Sequence, residues 1–412
     1  MTATPPPSSL PTRLGSREFI ALMAMVQALQ ALAVDSMLPA LGRISADLGV
    51  ADANRRQLVV GLFLISLGVG SLAPGALADR FGRRPVLIGC LGSYIALSMV
   101  CALAPSFDML LAARAVLGVL CAGLMVLPAA IIRDMYAGDR MARLQSSVAV
   151  VFMVVPMIAP SIGQAVLLVA GWRWIFGVMV ALGTAVALWV ALRLPETLRP
   201  QDRQPISVRG IGAGMWAIIA HRRSMGYVLA MALMQGGLFG YINCSQQLVA
   251  EHFGAGARFP LLFAAMAAMM ASTNWVNARI VERFGARRVS HAALLVYLAT
   301  SLAQVLTAFG GHETLWSFVP LMTLNLCLMG FLGANFTSIA LQPFARIAGS
   351  AASAQTFIRM VLSSGLGALV GRLYDGTARP LALALLMAGG LALLLIWVGE
   401  KGKMFGRSSP IC

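Results

Sequence analysis

About twelve apolar runs follow one another along this chain, each close to the ~20 residues that a helix needs to cross a bilayer. Inside lipid, every backbone N–H and C=O must find its partner within the protein, and a helix does this within each run. The predicted spans are 17–38, 55–78, 84–104, 108–133, 143–170, 172–193, 224–250, 259–280, 289–310, 314–341, 349–372 and 379–399. Every connection is short except 194–223, which is rich in Pro and Arg and separates six spans from six. The expected plan is therefore an N-terminal tail (1–16), a six-helix bundle (17–193), a linker (194–223), a second six-helix bundle (224–399) and a C-terminal tail (400–412). Around Ile211 to Ile219 the linker itself is apolar enough to lie along the membrane surface as a helix.

Composition closes off other classes. Hydrophobic residues make up 59% of the 412 residues and charged residues 11%, too little charge to keep a soluble domain of this size wet. The formal charge of +16 would suggest nucleic acid in a soluble protein, but the basic residues lie in short turns, with no basic face interleaved with aromatics. They read as topology. With the N-terminus in the cytoplasm, the inner segments hold Arg17, Arg80, Arg83, Arg84, Arg133, Arg140, Arg143, the linker arginines and Arg283 to Arg288. The outer segments hold only Arg43, Arg55, Arg56, Arg173, Arg258, Arg372 and Arg379. Both termini are thus expected in the cytoplasm. Trp172 and Trp174 fit an aromatic anchor at the outer interface. The six cysteines form no CxxC pair and read as packing residues; the four histidines have no metal-ligand spacing, so no metal or cofactor is expected. The first apolar run lacks a small-residue cleavage site and reads as an uncleaved span.

Between the second and third spans stands a charged, glycine-punctuated turn, Gly75-Ala-Leu-Ala-Asp79-Arg80-Phe81-Gly82-Arg83-Arg84-Pro85. A weaker copy recurs half a chain later at Glu282-Arg283-Phe284-Gly285-Ala286-Arg287-Arg288. Two halves repeating a charged turn between spans point to a duplicated transporter architecture. Gly75 and Gly82 suit close helix approach and a tight turn, and Asp79 can face an arginine or a helix N-terminus. Asp134, at the end of the fourth span, is the expected partner of Arg83. The functional reading is a latch that forms in one transport state; the bland one is a solvated turn that only sets topology.

Asp35 is the one carboxylate placed well inside a span, about a turn from the outer end of the first helix. Intramembrane carboxylates are costly and mark ion or substrate pathways, against the plainer reading of a helix cap beside Pro39. Arg114 lies at a similar depth in the fourth span and cannot discard its charge, so Asp35 is its expected partner. Arg359 sits near the middle of the eleventh span with no carboxylate partner evident in the sequence. In the fifth span Pro156 and Pro160 remove backbone donors, and Ala159 with Gly163 forms a small-xxx-small surface, as a moving seal between halves would need. In the seventh, Gln235 and Gln246 share a helix face with Phe239 between them; with Gln27, Gln30 and Arg359 they are the candidate lining of a substrate cavity. Asn243, Asn274, Asn325 and Asn335 serve equally well as interhelical hydrogen-bonding glue.

Taken together, these residues resemble the major facilitator superfamily, and within it the drug:proton antiporters of the bicyclomycin/chloramphenicol resistance (Bcr/CflA) type. Asp35-Ser-Met-Leu-Pro39 is similar to that family's first-span signature, Gly75 to Pro85 to motif A, Arg114-Ala-Val-Leu-Gly118 to motif B, and Ala159-Pro160-Ser-Ile-Gly163 to the antiporter motif C. Gly171 to Phe176, Pro195-Glu-Thr-Leu198, Asn277 to Gly285 and Ala348 to Arg359 also fit. The motif C pairs depart from the usual pattern, reading Ala159-Pro160 and Gly163-Gln164. The resemblance implies a monomeric, non-enzymatic carrier of twelve helices in a bacterial inner membrane, exporting amphipathic compounds in exchange for protons by alternating access. Asp35 and Arg114 would then carry the coupling. The alternatives are a carrier for one metabolite (amino acid, sugar or siderophore) and a membrane-embedded transferase. The transferase would need an aspartate-rich, HxxxD or metal-spaced set that the chain lacks.

Overall fold

The apolar runs form helices whose order follows the sequence. The computed structural model describes residues 15–402 and Phe405, apart from positions 53, 137, 206, 207 and 312. Most of both tails, and the side chain of Asn274, therefore lie outside the described residues. In the first half the helices are α1 (Ser16–Asp35), α2 (Leu41–Asp47), α3 (Leu58–Gly70), α4 (Ala73–Phe81), α5 (Arg83–Ala102), α6 (Phe107–Met135), α7 (Gly138–Val169) and α8 (Arg173–Arg193). The linker contributes α9 (Val208–Ala220), and the second half holds α10 (Arg222–Gln246), α11 (Phe259–Phe284), α12 (Ala286–Phe309), α13 (Leu315–Leu341), α14 (Ala348–Arg372) and α15 (Arg379–Gly399). Among the described residues, 10 helices are long and apolar enough to cross a membrane, and α3 with α4, bent by 47°, makes another span. α14 has the length, at 25 residues; its serines, Gln355 and Arg359 lower its hydropathy.

Two expected spans are broken rather than straight. The first was expected to run to position 38; instead α1 ends at Asp35 and resumes through Leu38–Ala40 into α2. Pro39 lacks an N–H, so the ladder loses its next donor there, while the Ser36 N–H and hydroxyl both still donate to the Leu32 carbonyl at 3.1 and 2.6 Å. The second span bends where α3 gives way to α4, with Pro74 in the first turn of α4.

Glycines set how closely the helices approach. A Cβ on Gly118 of α6 would lie 2.5 Å from the Phe63 carbonyl, and one on Gly70 of α3 would run into the backbone of Val119. α3 and α6 therefore meet backbone to backbone, the small-residue packing that substitutes for a hydrophobic driving force in lipid. α10 meets α14 in the same way through Gly240 against Val370 and Gly367 against Phe239. Within the first half α1 packs on α6, α7 and α8; within the second, α10 packs on α13, α14 and α15. The halves meet along α3–α14 and α7–α11. α9 lies against α14 and α10, burying Ile218 and leaving Trp216 exposed.

Candidate functional site

The break in the first span creates the most unusual group in the interior. Asp35 is 5% exposed, yet its carboxyl has no hydrogen bond or ion pair among the described residues. α7 presses on this break: a Cβ on Gly163 would run into the Ser36 carbonyl and lie 3.2 Å from Cγ of Pro39. Only glycine leaves room there, so the helix carrying Pro156 and Pro160 touches the chain one residue beyond Asp35. Both prolines lie inside α7, which continues through them.

The expected Asp35–Arg114 pair is not formed. Arg114 is fully buried, its Nε donates to the Val59 carbonyl at 2.9 Å, and its guanidinium lies 4.3 Å over the ring of Phe63. Among the described residues, both terminal nitrogens of Arg114 lack a partner. Similar depth therefore did not bring the two groups into contact: the guanidinium is turned onto α3, where a carbonyl and an aromatic face attract it. A buried cation with two open donor groups is poised for an acceptor that this arrangement does not supply.

At the other end of the first half lies the charged turn. Arg83, 3% exposed, pairs with Asp79 at 2.7 Å and with Asp134 at 2.6 Å. Arg80 is exposed and lies 5.6 Å from the Phe81 ring. Gly82 has φ +104°, a backbone that side chains rarely adopt, and a Cβ there would lie 2.5 Å from Oε2 of Glu196. That glutamate caps α5, accepting from the backbone N–H groups of Arg83 (2.9 Å) and Arg84 (3.2 Å). It also accepts from Thr197 and Leu198, and the Asp79 carbonyl accepts from the Gln204 N–H, so the linker is fastened to the turn. Sequence reasoning noted Glu196 only within a family-like tetrapeptide, because its partners are more than a hundred positions away. Gly75 does not serve the close approach expected of it: nothing lies within 4 Å of its Cβ position. Glu282 is exposed and has no ion pair among the described residues.

Among the described residues, the polar bonds joining the halves gather at the opposite end. Arg56 donates to both oxygens of Glu251 at 2.6 and 2.7 Å, and its side chain is 8% exposed. Gln57 donates to Gln247, Gln247 to Asn54, and Asn54 to the carbonyls of Arg372 and Tyr374 (3.3 and 2.8 Å). From there α3 follows α14 through Gly61 against Ala368 to Gly68 against Met360 and Val361. Beyond the bend, α4 packs on α5 and α6. From Asp79, Arg83, Asp134 and Glu196, no hydrogen bond or ion pair reaches the second half among the described residues. This seal was missed because Arg56 was read as a topology-setting turn arginine. Trp172, expected at the interface, is buried and donates to Asp47 at 2.8 Å, whereas Trp174 is exposed.

The cavity candidates divide. Gln27 and Gln30 are half-buried on α1. Arg359 donates to the Gln235 carbonyl oxygen, and the Gln235 amide nitrogen contacts the Met360 sulfur at 3.4 Å. Gln246 lies at the seal, its Nε2 3.8 Å from the Cβ position of Gly42. Phe239 does not line a cavity: it is 7% exposed and fills the contact with Gly367. Asn335 bonds Asn277, and Asn325 bonds Gln304, so these amides act as glue. Asn243 is buried, and its amide has no partner among the described residues.

Two like-ordered sets of membrane-spanning helices, joined along shared seams and carrying unpaired charged groups inside, define a membrane transport protein rather than an enzyme. The chain belongs to the Major Facilitator Superfamily, whose family model matches residues 23–368. It is 30% identical to an uncharacterized MFS-type transporter, YdgK, of Bacillus subtilis, over 94% of this chain and 96% of that one. It is 26% identical to a bicyclomycin resistance protein homolog of Haemophilus influenzae, covering 88% and 91%. In shape it is similar to a bacterial homolog of the human lysosomal transporter Spinster in an inward-facing, unoccupied conformation. That likeness has a TM-score of 0.73 at 18% identity, over 96% and 99% of the two chains.

Proposed function

We propose that this chain exports drugs or other amphipathic small molecules across a bacterial inner membrane in exchange for protons, by alternating access, as a monomer of Bcr/CflA type. The observation that carries this reading is Asp35: a buried carboxyl with no partner among the described residues, at a break in the first span that Gly163 of α7 touches. A carboxylate at membrane depth costs about 3 kcal/mol on insertion scales, so an acid held there without a cation is suited to carrying a proton. Proton release would leave a charge seeking Arg114, whose two terminal nitrogens lack an acceptor. In this scheme the Asp35–Arg114 pair belongs to a second state, reached when α1 and α7 shift at the break.

Alternating access assigns the two ends opposite roles. With both termini cytoplasmic, the Arg56–Glu251 seal closes the outer side, and the latch of Asp79, Arg83, Asp134 and Glu196 holds the inner end of the first half as one body. The residues 194–223 serve as the tether between the halves. A relative named a bicyclomycin resistance protein homolog supports the drug-export reading. A second reading, a carrier for one polar metabolite, draws on the amides of Gln235, Asn243, Gln246 and Gln247 along α10 and its extension. A susceptibility panel on cells expressing the chain, with and without a protonophore, separates the two. Export of drugs predicts raised resistance that the protonophore and Asp35→Asn both abolish; unchanged susceptibility to every compound would favour the single-metabolite carrier.

A further inference from the structure

Arg359 occupies the middle of α14, half-buried, and its guanidinium donates to one neutral acceptor, Oε1 of Gln235 on α10. No carboxylate lies within 4.0 Å of it among the described residues. The sequence explains why: the acids of the second half are Glu251, Glu282, Glu313, Asp375 and Glu400, all at helix ends or in the loops between helices. The interior of this half thus holds a permanent cation that nothing in its own helices can neutralise. The Gln235 amide nitrogen faces only the Met360 sulfur, a weak acceptor. Gly68 of α3 approaches Met360 and Val361 next to the pair, so these donors sit where the first half meets the second at mid-depth. The local chemistry is rich in donors and poor in acceptors.

We infer that Arg359 and Gln235 form a subsite for the anionic group, a carboxylate or sulfonate, of an amphipathic organic substrate. This deepens the carrier reading and rests on it. A planar guanidinium presents a fork that matches a carboxylate, and binding there would release Gln235 to donate alongside it. Lipophilic cations would meet like charge and bind worse.

The test uses the full chain in zwitterionic nanodiscs with three probes sharing one fluorophore: dansylglycine (anion), dansylglycinamide (neutral) and dansylcadaverine (cation). The subsite predicts that dansylglycine binds about tenfold or more tightly than either relative. Arg359→Gln should erase that preference while leaving dansylcadaverine binding equal or stronger. Gln235→Glu, which keeps the guanidinium and supplies it with an internal carboxylate, should erase it as well. Arg359→Lys should retain part of it, charge without the fork. Equal binding of the three probes, or a preference that survives Arg359→Gln in protein with an unaltered melting temperature, overturns the inference. Because no proton gradient is applied, that failure leaves the export reading standing, and loss of proton coupling in Asp35→Asn would leave the subsite standing.

Discussion

The two copies of the charged turn share a backbone but not their ion pairs. Aligned by residue, Asp79, Gly82, Arg83 and Arg84 stand opposite Glu282, Gly285, Ala286 and Arg287. Both glycines take positive φ, +104° and +82°, and each launches a helix directly. Yet the first copy is interlocked through Arg83, while at the matching place the second has Ala286, and Glu282 stands exposed. The end of α13 also offers no acid where α6 presents Asp134. The second half is clasped elsewhere: Glu400 takes bonds from Arg223 (2.9 Å) and Tyr227 (2.8 Å), with Arg287 at 3.9 Å. In the first half, Glu18 pairs with Arg193 at 2.8 Å. Each pair ties the first helix of its half to the last, with acid and base exchanged. One repeat has kept the geometry and moved the charge, so a repeated motif is no guarantee of a repeated role.

The largest expected effect comes from making the first copy resemble the second. Arg83→Ala strands Asp79 and Asp134 and should cost on the order of 2 kcal/mol, less than a fully buried pair because Asp79 is 45% exposed. Transport in vesicles should fall about tenfold or more. In the double variant with Asp134→Ala, the loss should be smaller than the sum of the single losses. Next, Glu400→Gln should lower the melting temperature more than Glu18→Gln, because Glu400 is 9% exposed while Glu18 is 29% exposed. Gly82→Ala should then destabilise more than Gly285→Ala. Both meet the penalty of about 1–3 kcal/mol for a side chain in this glycine-only backbone region, but only Gly82 also displaces the Glu196 cap. Equal melting temperatures for those two variants would break the comparison. The smallest effects belong to Glu282→Gln and Ala286→Arg, each expected within about 0.5 kcal/mol of the wild type with transport unchanged.

Much of the helical plan was legible because hydropathy and turn chemistry are local: the all-helical class, the linker helix and the charged turn are visible in short windows, and Asp134 was matched to Arg83 because both lie at span ends on the same side. What escaped depends on tertiary approach. The close approach of α7 to the break after Asp35 needs Gly163, more than a hundred positions away; the Glu196 cap and the Arg56–Glu251 seal likewise join residues more than a hundred positions apart. Depth along a helix placed Asp35 and Arg114 near each other in height but carries no information on which way a guanidinium turns. Phe239 looked like cavity lining because its helix face is right, whereas Gly367 offers it a close-packed socket.

Proton coupling through Asp35 is tested most directly in respiring everted vesicles, using a compound to which expression of the chain confers resistance. Adding that compound should collapse part of the pH gradient in vesicles carrying the wild type and leave it intact in vesicles carrying Asp35→Asn at the same protein level. Collapse of equal size in both would contradict the account, whatever the fold.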